Sequence, residues 1–314
     1  MKTILASRAS AIIYNLLYGR DGGRAFLLPA NICPIVPLTF FKAGISFEFV
    51  DISSKTLHMD LAQAEGRLKR RKYGGLLYAH TYGDPSTTQE FFNAVKKQYP
   101  ALLLIDDRCL CIPDLVTDPT TAADVTLYST GYAKIVDLEY GGFAYFREDV
   151  NYHSHVLPFH HSDLEVVEKN YKRSIEAREQ YSYIDSDWLQ TDLNLPAWPE
   201  FADRVRAAKE GSLAHRQSIN AVYNTLIPSG LSLGEQYQLW RFNLRLPDKE
   251  KTLQAIFKAH LFASSHYASL AGIMAAGQCP AAEDIEHEVV NLFNDDHYTL
   301  EMAEKTAKII LGSL

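Results

Sequence analysis

The first half of the chain alternates short apolar runs with segments in which apolar residues recur at helical spacing. The runs predict strands at residues 25–28, 47–52, 75–80, 101–105, 124–128 and 143–146. The periodic segments predict helices at residues 9–17, 34–43, 59–72 and 87–97, the last capped by Thr87 or Thr88. Because these strands are apolar throughout, we expect an α/β fold in which helices sandwich a mostly parallel sheet.

After residue 146 long helical patterns replace this alternation. They predict helices at residues 164–181 and 201–227. A smaller α/β unit follows, with strands predicted at residues 239–246 and 262–265 and helices at residues 250–260 and 300–311. We therefore expect a large α/β domain at residues 1–190, and a linker helix with a small α/β domain at residues 191–314.

Composition indicates a soluble globular protein. The chain has 314 residues, is 47% hydrophobic and has a net charge of -7. It has no basic stripe with interleaved aromatic residues, so nucleic acid is not an expected partner. The apolar stretch at residues 3–6 is too short for a signal-peptide core, and no window approaches the roughly 18 apolar residues of a membrane helix. The four cysteines show no metal-ligand spacing, which favours reduced thiols in a cytoplasmic protein.

Three polar residues fall where predicted strands end. In a parallel sheet the ligand binds beyond the carboxyl ends of the strands, and His80, Asp107 and Ser129 all lie at such ends. The carboxylate of Asp107 follows a dry strand, so it needs a cationic partner. Either Arg108 or a ligand nitrogen could supply the positive charge.

Lys134 lies between two predicted strands and before the pair Gly141-Gly142. Its apolar neighbours, Ile135 and Val136 among them, would disfavour the ammonium form, and a free amine at a strand end is what Schiff-base chemistry requires. The alternative is an ordinary loop lysine.

Ser129 and the start of the first helix have the groups that bind a phosphate. A hydroxyl can donate to a phosphate oxygen, and a helix N-terminus favours anions, here with the charge of Arg8 beside it. Ser7 and Ser10 could instead simply cap the helix.

Residues of the second half could bind a substrate or a metal. Arg241 stands between two aromatic residues on a predicted strand, where a guanidinium binds either a substrate carboxylate or an internal one. His266 and Tyr267 follow on the next turn. The patch His153, His155, His160 and His161 with Asp163 lacks recognisable ligand spacing, so no metal is expected. The remaining substrate-binding candidate is His80.

Lys134, Asp107 and Ser129 together look like a pyridoxal 5′-phosphate (PLP) site. The chain resembles the sugar aminotransferases of the DegT/StrS type, within the fold-type I PLP enzymes. The resemblance covers residues 7–146 well and the region from residue 240 onward more loosely. Its motifs are Ser7-Arg8-Ala9-Ser10-Ala11-Ile12, Leu28-Pro29 with Phe49-Val50-Asp51, His80-Thr81-Tyr82-Gly83, Ile105-Asp106-Asp107, and Ser129…Lys134…Gly141-Gly142. The spacing of the last motif is the most specific.

The resemblance implies roles for the cofactor residues. Lys134 would form the internal aldimine and then move the proton between cofactor and substrate carbons. Asp107 would pair with the pyridinium nitrogen and keep the ring an electron sink. Ser129, Arg8 and Ala9 would hold the phosphate.

The resemblance also implies the reaction. Family members are generally homodimers that transfer an amino group from glutamate or glutamine to a nucleotide-linked keto-sugar, in polysaccharide or secondary-metabolite biosynthesis. Two alternatives from the same resemblance are a non-catalytic descendant that binds a sugar or a partner, and a PLP-dependent sugar dehydratase. Related dehydratases replace the lysine with histidine, so Lys134 weighs against that alternative.

This chain departs from the family pattern around the cofactor. Cys33 stands near the position of the aromatic residue over the ring, and Arg8-Ala9 replaces the Gly-Thr of the phosphate loop. The glutamine or histidine three positions after the aspartate is Leu110, which removes one hydrogen bond to the phenolic oxygen. The partner-subunit asparagine motif and the residues that usually precede the first helix are not recognisable.

Overall fold

The computed structural model describes residues 1–86 and 88–314. The first half contains seven strands within that part of the chain: β1 (Lys2–Ala6), β2 (Phe26–Pro29), β3 (Phe47–Val50), β4 (Gly75–Ala79), β5 (Leu103–Asp107), β6 (Val125–Ser129) and β7 (Gly142–Phe146). The helices between them are α1 (Ala9–Leu17), α2 (Ile35–Lys42), α3 (Leu61–Arg70) and α4 (Gln89–Gln98). Thr87, one of the two caps predicted for α4, lies outside the described residues. Thr88 occupies the cap position but makes no capping hydrogen bond.

The strands form one sheet in the order β1-β7-β6-β5-β4-β2-β3. Strands β2 to β6 pair in parallel, and β7 runs antiparallel to both of its neighbours. Successive strand residues enter opposite cores: Leu77 and Ile105 pack on one face, whereas Leu76 and Leu104 pack on the other. Helices cover both faces, so every side chain of β4 and β5 is buried. The predicted α/β fold with a mostly parallel sheet is confirmed.

Strand β1 was not predicted. It pairs with β7 in the register Lys2↔Phe146 to Ala6↔Gly142. The sequence analysis considered these residues only as a possible signal segment, because their hydrogen-bonding partner lies about 140 positions away and leaves no local signal. The pairing brings the start of α1 to the carboxyl edge of the sheet.

The second half begins with two long helices and ends in a small sheet. Its elements are α5 (His161–Ala177), α6 (Trp198–Leu226), β8 (Phe242–Arg245), α7 (Lys249–Lys258), β9 (Ala263–Ser264), α8 (Pro280–Glu288), β10 (Val289–Leu292) and α9 (Leu300–Ser313). Strand β10 lies between β8 and β9 and is antiparallel to both. Neither α8 nor β10 was predicted. The division of the chain at residue 190 stays a prediction.

The small sheet has its own apolar core, which includes Phe242, Leu292 and Tyr223 of α6. Asp51, at the end of β3 in the large sheet, accepts hydrogen bonds from the backbone N–H groups of Ala281 and Ala282, both at 3.0 Å. It therefore caps α8 from the large sheet. No helix of the described residues is both long enough and apolar enough to span a bilayer.

Candidate active site

A cavity of about 270 Å³ lies at the carboxyl edge of the large sheet. The ends of β2, β4, β5 and β6 line it together with the first turn of α1. The predicted residues at this cavity are Arg8, Ala9, Cys33, His80, Asp107, Ser129, Lys134 and Tyr267. The sheet therefore brings together residues that are up to 259 positions apart, as expected for the carboxyl edge of parallel strands.

Asp107 is a buried carboxylate that forms no ion pair with any described residue. Its side chain is 6% exposed and accepts a hydrogen bond from the backbone N–H of Cys109 at 3.0 Å. Burial raises the pKa of Asp107, and the hydrogen bonds from Cys109 only partly offset that effect. Within residues 1–86 and 88–314 no ion pair reaches Asp107. A ligand nitrogen as the partner of this carboxylate stays a prediction.

Arg108 pairs with the neighbouring carboxylate instead. Its Nε donates to Oδ2 of Asp106 at 2.7 Å. Adjacent residues of a strand point to opposite faces, so Asp106 faces away from the cavity that Asp107 lines. Burial alone would raise the pKa of Asp106, but hydrogen bonds and charge from His80 and Arg108 hold it below its usual value.

The ring of His80 is engaged inside the protein. Its Nε2 lies 2.8 Å from Oδ1 of Asp106, and its Nδ1 lies 2.8 Å from the carbonyl oxygen of Asp84. The residue lines the cavity but is 1% exposed. The ring nitrogens of His80 therefore stabilise the strand ends, and substrate binding by this residue stays a prediction.

Lys134 lies on the turn between β6 and β7, and this turn is fixed from outside. Buried Arg216 of α6 donates from Nη2 to the carbonyl oxygen of Lys134 at 3.0 Å. The indole N–H of Trp240 donates to the carbonyl oxygen of Ala133 at 2.8 Å. Ile135 is fully packed in the core, whereas the Lys134 side chain is half-buried at the cavity. The backbone of the turn that carries Lys134 is therefore fixed by the second half of the chain.

The first turn of α1 forms another wall of the cavity. Its N-cap is Arg8, whose side chain makes no capping bond and is exposed. Gly142 of β7 packs directly against this turn, because a Cβ there would lie 2.3 Å from the backbone nitrogen of Ala9. Of the two serines considered, Ser10 lines the cavity, whereas the Ser7 hydroxyl donates to the carbonyl oxygen of Gln190 at 2.8 Å. The helix N-terminus thus faces the cavity with its unpaired N–H groups.

Solved structures share this architecture. No protein-family model and no curated protein matches the sequence. Helicobacter pylori PseC, an aminotransferase involved in the biosynthesis of pseudoaminic acid, superposes with a TM-score of 0.71 at 12% identity, covering 100% of this chain and 86% of PseC. The aminotransferase TlmJ from Streptoalloteichus hindustanus gives 0.70 at 15% identity, covering 99% of this chain and 85% of TlmJ.

A DegT DnrJ EryC1 StrS aminotransferase from Brucella abortus gives a TM-score of 0.67 at 14% identity. The superposition covers 99% of this chain and 86% of the Brucella abortus chain. The chain has the fold of the DegT/StrS-type aminotransferases. The resemblance predicted from the motifs is confirmed at the level of the fold.

Three substrate-binding candidates lie in the second half of this aminotransferase fold. Arg241 is 3% exposed and donates from Nη1 to Oδ2 of Asp295 at 2.6 Å, so the internal pairing is the correct alternative. His266 is not among the residues that line the cavity, and its role in substrate binding stays a prediction. Tyr267 does line it, stacked on Trp240 with ring centroids 5.8 Å apart, and burial raises its pKa.

Cys33 and Cys109 both line the cavity, and burial raises the pKa of both thiols. Cys33 occupies the wall where the resemblance implies an aromatic residue. Both thiols are therefore protonated and add apolar surface to the cavity.

Sequence reasoning missed two residues of the cavity wall. Asn31 and Thr81 follow the ends of β2 and β4, and both line the cavity. The side-chain oxygens Oδ1 of Asn31 and Oγ1 of Thr81 are buried without a hydrogen-bond partner in the described part of the chain. Both follow predicted strand ends, and this was the signal that could have identified them.

The histidine patch gives one small cluster on the surface. His160, Asp163 and Asp187 have ligand atoms within 4.8 Å of one another, and His161 instead pairs with Glu165 at 3.3 Å. Exposed groups of this kind are common in proteins without an ion, so the cluster carries no assignment.

Proposed function

We propose that this chain is a PLP-dependent aminotransferase that transfers an amino group to a keto-sugar. The observation that carries the proposal is the unpaired, buried carboxylate of Asp107, in one cavity with Lys134 and the N-terminus of α1. A lone buried carboxylate costs several kcal/mol, so its retention is best explained by a cationic ligand atom. The pyridinium nitrogen of PLP is such an atom.

The residues present fit PLP. Asp107 offers an acceptor to the ring nitrogen, and Lys134 offers the amine. The first turn of α1 and the Ser129 hydroxyl offer donors for the phosphate.

When bound, PLP supplies an electron sink that stabilises negative charge on the substrate carbon beside the amino group. Asp107 holds a proton on the ring nitrogen, because the cation lowers the raised pKa of this carboxyl group. The Nζ of Lys134 would be the group that moves a proton between substrate and cofactor carbons. The apolar walls around Leu110 exclude water from these atoms.

The substrate and assembly follow from the same resemblance. The aminotransferase neighbours include PseC, which is involved in the biosynthesis of pseudoaminic acid. We infer a nucleotide-linked keto-sugar as acceptor and glutamate or glutamine as donor, in polysaccharide or secondary-metabolite biosynthesis. We further infer a cytoplasmic homodimer.

The first prediction is that the purified protein binds PLP and gains visible absorption, and that Lys134→Ala abolishes this band while Lys169→Ala, an exposed lysine of α5, leaves it unchanged. Glutamate should then convert the cofactor and release 2-oxoglutarate in the wild type. The measurement is a spectrophotometric titration with PLP, followed by product analysis with keto-sugars.

Each alternative has its own outcome. A colourless protein that is indifferent to PLP contradicts the proposal. PLP binding without any half-reaction, combined with a stable dimer, indicates the non-catalytic descendant. A dehydrated rather than aminated sugar product indicates the dehydratase, against which Lys134 at the cavity already argues.

A further inference from the structure

Two side chains at the cavity are open to solvent, one cationic and one aromatic. Arg8, the N-cap of α1, and Tyr132, on the turn between β6 and β7, both line the cavity and are both exposed. At 73% exposure, Tyr132 is the most exposed large hydrophobic side chain of the described residues. Asp107 is buried and Lys134 is half-buried, so Arg8 and Tyr132 lie at the mouth of the cavity and not at its base.

Arg8 presents a guanidinium that no carboxylate neutralises in the described part of the chain. Its Nε donates to Oε1 of Gln190 at 3.4 Å, a long hydrogen bond to a neutral side chain. Glu168 of α5 pairs with Lys172 at 3.1 Å and forms no ion pair with Arg8. Among the described residues that line the cavity, Arg8 is the one arginine. Its two terminal nitrogens are therefore available as a fork of donors for an oxyanion.

The direction of the Arg8 side chain separates it from a phosphate at α1. The backbone N–H groups of the first turn of α1 face the cavity, whereas the guanidinium contacts Gln190 and solvent. A phosphate at a helix N-terminus binds to those N–H groups, here beside the Ser129 hydroxyl, and does not require the guanidinium. Arg8 is thus placed for a second anionic group, farther towards solvent.

Hydrogen bonds hold the turn that carries Tyr132. The N–H of Ala133 donates to Oδ2 of Asp137 at 2.7 Å. The far end of the turn, Gly141, donates its N–H to the carbonyl oxygen of Ser7 at 2.7 Å, directly before the N-cap of α1. The guanidinium and the aromatic ring therefore stand on joined segments of backbone. A ring presented by a fixed backbone loses little conformational entropy when a flat ligand stacks on it.

The two side chains match the outer part of a nucleotide-linked sugar. From its reacting end, such a molecule consists of the sugar ring, the diphosphate and the nucleoside. With the keto carbon at Lys134 inside the cavity, the diphosphate and the base lie towards the mouth. A guanidinium binds a phosphate through two hydrogen bonds, and a base stacks on an aromatic ring.

We propose that Arg8 and Tyr132 bind the nucleotide of the acceptor: the guanidinium pairs with the diphosphate, and the Tyr132 ring stacks on the base. This assignment rests on the proposed function, since it presupposes a nucleotide-linked keto-sugar. It makes Arg8 a substrate-binding residue and leaves the cofactor phosphate to the backbone of α1 and to Ser129.

Arg8→Gln and Tyr132→Ala test the assignment by calorimetric titration of the PLP-loaded protein with UDP, dTDP, GDP and CDP, and with inorganic pyrophosphate. The wild type should bind at least one of these nucleotides. Arg8→Gln should weaken this binding about tenfold and should weaken pyrophosphate binding with it. Tyr132→Ala should weaken nucleotide binding about fivefold to tenfold and leave pyrophosphate binding as in the wild type. Added salt should weaken nucleotide binding more in the wild type than in Arg8→Gln, because salt screens the lost charge.

Matched variants distinguish these contacts from a general effect of the substitutions. Tyr132→Phe keeps the ring and should keep most of the nucleotide affinity. Arg70→Gln removes an exposed arginine of α3, and Tyr18→Ala removes an aromatic ring that is 49% exposed at the end of α1. Neither residue lines the cavity, so both variants should bind the nucleotide as the wild type does.

PLP affinity, the glutamate half-reaction and the oligomeric state of each variant separate the possible outcomes. A wild type that binds no PLP overturns the proposed function and this assignment with it. A wild type that binds PLP and reacts with glutamate, but binds none of the four nucleotides, overturns the assignment alone. If Arg8→Gln weakens PLP binding or the reaction with glutamate more than nucleotide binding, Arg8 serves the cofactor phosphate or the donor carboxylate and the assignment is wrong. A Tyr132→Ala variant that becomes monomeric with wild-type nucleotide affinity would show that a second copy of the chain covers this ring instead.

Discussion

Two adjacent carboxylates at the end of β5 illustrate how one position along a strand changes chemistry. Asp106 faces His80 and Arg108, and their hydrogen bonds and charges lower its pKa in spite of burial. Asp107 faces the cavity, and burial raises its pKa. The motif Ile105-Asp106-Asp107 identified the pair, but it did not reveal which carboxylate Arg108 would neutralise, because that depends on the side-chain direction of β5. The structure leaves Asp107 as the group available to a ligand.

The second prediction is that Asp107→Asn stabilises the protein without cofactor at neutral pH while it weakens PLP binding. A carboxyl group whose pKa is raised on folding stabilises the folded state at pH values below its unfolded pKa, and this contribution is lost as pH rises through the folded pKa. The variant should thus melt higher at pH 7, by about 2–4 °C for each kcal/mol, and the gain should vanish near pH 4. Thermal melts across pH measure it, with and without PLP.

The control is the neighbouring carboxylate. Asp106→Asn should destabilise the protein at pH 7, because it leaves Arg108 without its partner in a buried network. A lower melting temperature for Asp107→Asn than for wild type at pH 7 would contradict the account of its burial.

The junction of α1 and β7 positions the first turn of α1 at the cavity. Gly142 begins β7 and pairs with Ala6 of β1, and the backbone of α1 starts directly above it. Gly141, with φ +91°, adopts a conformation that favours glycine, and a side chain there would meet the ring of Phe201. Close contacts with neighbouring atoms therefore favour glycine at both positions of the motif Gly141-Gly142.

The third prediction is that Gly142→Ala displaces α1 from β7. The new Cβ would lie 2.3 Å from the Ala9 nitrogen, and the contacted atoms are backbone, which cannot swing away. We expect a loss of about 1–3 kcal/mol in the free energy of unfolding and weaker binding of both PLP and inorganic phosphate. Denaturant melts and phosphate titrations measure the two effects.

Gly211→Ala is the matched control, because Gly211 is exposed within α6 and a Cβ there would meet nothing within 4 Å. It should stabilise the protein by up to about 1 kcal/mol through helix propensity. Wild-type phosphate affinity and stability in Gly142→Ala would refute the role of this junction.

Elements with strong local patterns were predicted well, and those defined by distant partners were not. Helix α1 was predicted with its observed bounds, and β2 to β7 were predicted within two residues at each end. Helix α8 passes into β10 between Glu288 and Val289 with no turn residue, so no boundary was visible. The predicted end of α5 was four residues late, because Arg178 adopts a left-handed conformation with φ 54° and ends the helix. A contact between Arg178 and Glu286 stabilises this conformation.

The two halves of the molecule meet at the turn that carries Lys134. Buried Arg216 donates to the carbonyl oxygens of Lys134 and Trp240 and to Oδ1 of Asn294. One guanidinium therefore links α6, the turn before β8 and the cavity. The sequence analysis predicted Lys134 but not this support, since nothing local relates Arg216 to a residue 82 positions away.

Another contact between the halves includes a buried histidine. His58 is 1% exposed, and its ring packs edge-on against Tyr78, His80 and Tyr237. Tyr237 precedes β8 and donates from its hydroxyl to the carbonyl oxygen of Thr56. Burial and the neighbouring His80 lower the pKa of His58 to about 4. The folded protein thus holds this imidazole neutral, whereas the unfolded chain binds a proton near pH 6.5.

The fourth prediction follows at the level of global stability. A base whose pKa is depressed on folding contributes stability that is full above its unfolded pKa and is lost as pH falls through the folded value. Lowering the pH from 7 to 4.5 should therefore reduce the free energy of unfolding of the wild type by about 2–3 kcal/mol through His58 alone. His58→Phe keeps the aromatic contacts and removes the titrating group, so its stability should fall less over this range. Denaturant unfolding should compare the two proteins across this pH range, with exposed His153→Phe as control. Parallel pH profiles for wild type and His58→Phe would show that folding does not lower the pKa of His58, and would contradict the account of its burial between the two halves.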